Sequence, residues 1–132
     1  MNKADRSLAG ALTAVGLVFI FGIWPLMIVW PSGWSWHPAQ GEFMGMMIGL
    51  YATLGVFLLI AARRPREYVG LIWFTVWSSA VHGVIMGVQA VGDPEDFGHF
   101  YGDVPALLMV AAVLAVLVRR ATATAAAAGP VQ

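Results

Sequence analysis

The chain has no cysteine, a single lysine (Lys3), and few charged residues of any kind: Asp, Glu, Lys and Arg make up 11% of its 132 residues. Without cysteine there is no disulfide, no thiolate nucleophile and no thiolate-ligated cluster or zinc. A resident metal would need His, carboxylate or thioether ligands. The formal net charge of zero leaves no basic footprint for a nucleic-acid partner. What the chain has in excess is apolar surface. Sixty per cent of its residues are hydrophobic, more than a soluble domain this short could hide from water. Lipid is the apolar solvent that accommodates the remainder, so the bilayer is the first expected partner.

Three segments, residues 8–30, 43–62 and 68–91, contain no Asp, Glu, Lys or Arg. Each approaches or exceeds the ~20 residues that cross a hydrocarbon core of about 30 Å. The fourth is harder to delimit. Its purely apolar stretch, 104–118, reaches only about 22 Å as a helix, whereas residues 97–118 reach about 33 Å. Either the helix begins near Phe97, or Asp103 caps a shorter helix with Pro105 in its first turn. The first segment is read as a retained helix rather than a cleaved leader, because its apolar run is too long and no Ala-x-Ala site follows. Pro25 is expected to kink it near its end, and Trp24, Trp30, Trp34 and Trp36 suit an interfacial belt.

Basic residues assign the sides. Lys3 and Arg6 precede the first segment, Arg63, Arg64 and Arg66 lie between the second and third, and Arg119 and Arg120 follow the fourth. The opposite loops have no Lys or Arg and carry Glu42, Asp93, Glu95, Asp96 and Asp103. The positive-inside rule then places both termini in the cytoplasm of a multi-pass protein of the bacterial inner (plasma) membrane. The expected fold is all-α, a four-helix up-down bundle forming one domain over residues 1–120. Residues 121–132 read as an Ala-rich flexible tail.

Small residues at four-residue spacing mark packing faces: Gly41, Gly45 and Gly49 in the second segment, Ser79, Gly83 and Gly87 in the third. Packing within the chain is the preferred use, with homo-oligomerisation as the other.

Polar groups inside the apolar segments need a reason, because unpaired polar groups are costly in hydrocarbon. Thr75, Ser78, His82, Met86 and Gln89 recur at spacings of three and four and form one stripe. All three histidines, His37, His82 and His99, fall in the outer half, at the level of Glu42, Gln89 and Asp103. Two readings stand. One is a ligand, metal, haem or quinone site built from His82, His99, Asp103 and Glu42, with Gln89 and His37 nearby. The other, which is preferred, is a hydrogen-bond network in which His82 pairs with Asp103 or Glu42. No His-x-x-x-His or Glu-x-x-His spacing occurs on any helix, so no cofactor is required by the sequence. His37 and His99 read as interfacial, and Asp93, Glu95 and Asp96 as a solvated acidic turn.

The stretches WPSGWSWHPAQ (30–40), GLYATLGVFLLIAARRP (49–65), IWFTVWSSAVHGVIMGVQA (72–90) and GHFYGDVPALLMV (98–110) resemble a family of small bacterial four-helix membrane proteins classed as a domain of unknown function. In size and topology alone the chain is also similar to the DoxX-like group, some of which are associated with quinone-linked oxidoreductases. The first resemblance implies the four-helix fold and no activity; the second is an analogy of architecture.

Together these features predict a small non-catalytic membrane protein, either an accessory subunit of a larger membrane complex or a small binding module. The rival expectation is a membrane redox or ligand-binding protein that uses the outer His/carboxylate cluster. A transporter is disfavoured, since no internal repeat is evident.

Overall fold

The computed structural model describes residues 1–35 and 41–127. Every regular element among them is helical: α1 (Lys3–Leu17), a π-helical turn (Val18–Gly22), α2 (Ile23–Val29), α3 (Pro31–Trp34), α4 (Gly41–Arg63), a 3-10 turn (Pro65–Tyr68), α5 (Val69–Gly92), a 3-10 helix (Pro94–Tyr101) and α6 (Asp103–Ala127). Four continuous helical stretches, Lys3–Val29, Glu42–Arg63, Pro65–Gly92 and Pro94–Ala127, are long and apolar enough to cross a membrane.

Local chemistry explains the boundaries. Asn2 caps α1 by accepting from the Asp5 amide at 2.8 Å. The π turn falls just before Pro25, whose ring would meet the carbonyl of Phe21 in a regular helix, and the widened turn absorbs that conflict. Pro31 ends α2 and starts α3. Asp93 caps the 3-10 helix through the Glu95 amide at 2.9 Å. α6 begins at Asp103 with Pro105 in its first turn, as one of the two expected starts has it, but Asp103 is its first residue, the helix is not short, and the continuous helical stretch begins earlier, at Pro94. The 25 residues of α6 cover about 37 Å. The length is gained at the other end, by continuing through Ala127, and Ala121 is fully buried there.

α5 packs along α6, and α1 packs on both α4 and α6. Consecutive α4 and α5 scarcely touch. The start of α1 is fastened to the α4–α5 turn by Arg66, whose Nε and Nη2 lie 3.0 and 2.9 Å from the two oxygens of buried Asp5. The larger buried core lies toward this basic end. Leu8, Leu12, Leu58, Ile72, Leu114 and Val118 form its core, each at most 1% exposed. A bare Gly16–Gly55 crossing brings α1 against α4. A Cβ on Gly55 would sit 2.7 Å from the Gly16 carbonyl oxygen, and one on Gly16 would sit 2.9 Å from that of Gly55.

The small-residue faces divide. Ser79 and Gly83 are buried, with Gly83 against Leu107 and Leu108 of α6, and Gly87 meets Val104. Gly45 and Gly49 are exposed, and a Cβ on either would meet nothing within 4 Å. The close approach expected of the Gly41–Gly45–Gly49 run is therefore made lower on α4, by Gly55. Facing outward, Gly45 and Gly49 have no close neighbour among the described residues. Of Gly41 only its place at the start of α4 is described.

Candidate functional site

The acidic end has a much smaller buried core, formed by Met86, Val104 and Leu107. Above the Gly16–Gly55 crossing the elements line a partly open cavity of about 690 Å³, within the range of small-molecule sites. Phe19 from the π turn, Met47 and Tyr51 from α4, Met86 from α5 and Leu107 from α6 form walls, and Phe43 stands exposed at the rim. The sparse contact between α4 and α5 is the reason for the space. These helices are held apart at this level by side chains rather than joined along their lengths.

One polar contact crosses that gap. Tyr51 Oη lies 2.7 Å from His82 Nδ1, and the hydroxyl donates when imidazole carries its proton on Nε2. The Tyr51 ring is steadied edge-on by Phe19, with centroids 4.9 Å apart. Tyr51 is ten residues in from Gly41 at the start of α4, and His82 is ten residues back from Gly92 at the end of α5. Equal depth is what lets them meet.

A second polar group closes the cavity from the acidic end. His99 is fully buried, and its Nδ1 lies 2.9 Å from both Asp103 oxygens. An N–H there donates to the carboxylate and ties the 3-10 helix to the first turn of α6. Asp96 stands on the opposite side of the ring, Oδ1 at 3.9 Å from His99 Nε2. Asp96 and Asp103 are each 6% exposed, and both line the cavity. Asp96 Oδ1 and Trp34 Nε1 are buried with no hydrogen-bond partner among the described residues.

The sequence-derived cluster is thus partly assembled. His82, Asp103 and Gln89 line the cavity, Gln89 from an exposed position. His82 takes Tyr51 as its partner instead of Asp103 or Glu42, and Asp103 takes His99. Glu42 is exposed in the first turn of α4, away from this group. His37 lies outside the described residues. His99 and Asp96, expected at the interface and in solvent, are buried, because the 3-10 helix folds inward under α3. Tyr51 and Phe19 are absent from the sequence-derived candidates, and Trp34 is read there only as part of an interfacial belt. Tyr51 was detectable from the matched depths of the two helices. The other two depend on tertiary packing. Among the described residues, no group of three or more His, Asp and Glu is placed to hold a metal ion.

Four apolar helical stretches around a cavity at one end give this chain the build of a small multi-pass membrane protein. It belongs to a family of unknown function, DUF6632, whose model matches residues 4–130. No curated protein and no solved structure matches the chain.

Proposed function

We propose that this protein is a non-catalytic binding module of the plasma membrane that holds one small amphipathic molecule in the cavity at its acidic end. The observation that carries the reading is the cavity itself: about 690 Å³, walled mainly by aromatic, aliphatic and methionine side chains, with a few polar groups from Tyr51–His82, Gln89, the Trp34 indole and the two aspartates. Apolar walls take the body of such a molecule, and the few polar groups orient its head. Met27, Met44, Met47 and Met86 give the walls adaptable, polarisable surface.

Native mass spectrometry of protein extracted in mild detergent tests this. The wild-type chain is expected to carry a small-molecule adduct. Ala106→Phe, which places a ring in the cavity, is expected to be bare. A bare wild-type chain that also fails to bind added decylubiquinone and tetraphenylphosphonium would overturn the reading.

The one-sided basic residues support an arrangement with both termini cytoplasmic and the cavity at the outer face. The natural absence of cysteine makes this directly measurable. In intact cells a membrane-impermeant maleimide should label Glu95→Cys, and Asn2→Cys only after lysis. The reverse pattern would place the cavity on the inner side.

A further inference from the structure

The cavity has a charge problem as well as a shape. Asp96 and Asp103 both line it and are both nearly fully buried. The base set between them is His99, which supplies at most one positive charge. His82 also lines the cavity, but its Nδ1 is taken by Tyr51, and an ionised Asp96 with no partner in hydrogen-bond reach of its Oδ1 among the described residues is costly in apolar surroundings. The chain's own strong cations lie elsewhere. All seven Lys and Arg belong to the termini and the 63–66 turn. The Asp5–Arg66 pair marks that end, and the fourteen residues from Asp5 to Phe19 place it about 20 Å below the cavity at the helical rise. Asp96 Oδ1 is buried on the cavity lining with no hydrogen-bond partner among the described residues, in a structure whose other buried carboxylates, Asp5 and Asp103, are each held at 2.9–3.0 Å.

We propose that the occupant of the cavity is an organic cation, a protonated or quaternary amine with an apolar body, whose charge rests beside Asp96. This rests on the cavity reading above and specifies its ligand. The walls favour an organic cation over a metal ion. Among the described residues no third ligand group is placed to complete a metal site, and the volume is many times the roughly 30 Å³ share of one water. Phe19, Trp34, Phe43 and Tyr51 instead offer ring faces of the kind that attract ammonium groups and apolar bodies together. Asp96 is the charged anchor, because Asp103 is already engaged by His99.

Two probes of equal shape and opposite charge test the idea on the full chain in nanodiscs of neutral phosphatidylcholine: tetraphenylphosphonium and tetraphenylborate, with empty nanodiscs as background. The expected result is saturable binding of one tetraphenylphosphonium per chain and no saturable tetraphenylborate. Asp96→Asn should weaken the cation roughly tenfold or more, Asp96→Glu should keep it, and Ala106→Phe should remove it. Should Asp96→Asn fail to fold by circular dichroism, the contrast between the two probes on the wild-type chain still decides. Equal binding of both probes, or unchanged cation affinity in a folded Asp96→Asn, would overturn the cation proposal. If neutral decylubiquinone binds in place of the cation and is lost in Ala106→Phe, the cation proposal fails and the cavity reading stands. If no probe binds above background and no adduct co-purifies, both fail.

Discussion

Asp103→Ala is expected to lower the free energy of unfolding by about 1–3 kcal/mol, the cost of leaving a buried donor without its acceptor. The variant strips the acceptor from a fully buried imidazole that Asp103 holds through both carboxylate oxygens at 2.9 Å. It also removes the acidic residue from the first turn of α6, where it complements the helix dipole. The two losses fall on one joint, since His99 and Asp103 are what connect the 3-10 helix to α6. Denaturant titration of the extracted protein provides the measurement. Asp103→Asn keeps an acceptor and should recover part of the loss. Asp96→Ala is expected to cost clearly less, because its Oδ1 has no hydrogen-bond partner to abandon among the described residues. Equal losses for Asp96→Ala and Asp103→Ala would show that His99 does not depend on Asp103.

Gly102→Ala is expected to be the most disruptive single-methyl change in the chain, lowering stability by roughly 1–3 kcal/mol as overpacked sites do. The residue sits at φ −109°, outside the left-handed region that favours glycine, so a positive φ is not what glycine supplies here. Space is. An added Cβ would fall on the carbonyl oxygen of Gly33, with the carbonyl carbon at 2.7 Å and Cα at 2.8 Å. These are backbone atoms and cannot rotate aside as a side-chain tip would. Gly98 faces the same obstacle in Ser32, whose carbonyl carbon would lie 2.9 Å from the new methyl. The two glycines let α3 lie directly on the 3-10 helix and carry Trp34 over the cavity. Gly92→Ala is the control, since its Cβ would meet nothing within 4 Å. Thermal unfolding should separate the two variants, with Gly102→Ala melting well below wild type and Gly92→Ala close to it. A Gly102→Ala protein as stable as wild type would mean that the α3 contact is not tight in the membrane.

Much of the architecture was legible in the chain itself because it depends on local composition. Uncharged apolar runs of 20 residues and more read directly as helices, since a segment in lipid must satisfy its own backbone hydrogen bonds. The one-sided placement of seven basic residues is likewise a property of position along the chain. The start of α6 was narrowed to two choices by capping chemistry, and Asp103 with Pro105 was one of them. His82 and Asp103 stood out as polar groups in costly places, and both line the cavity.

The pairings were decided only by the tertiary fold, because they join residues far apart in sequence. Tyr51 and His82 are 31 positions apart and meet because two scarcely touching helices present them at one depth. Asp96 and His99, in a turn that composition marks as solvated, are buried because two glycines admit α3 so closely that the acidic loop folds inward. Glu42, chemically as good a candidate, remains outside because its helix turn faces away. Composition was enough to establish how many apolar helices the chain has. It was not enough to establish that the larger buried core lies toward one end and a cavity lined by two aspartates toward the other, since a cavity is defined by where side chains from seven elements fail to meet.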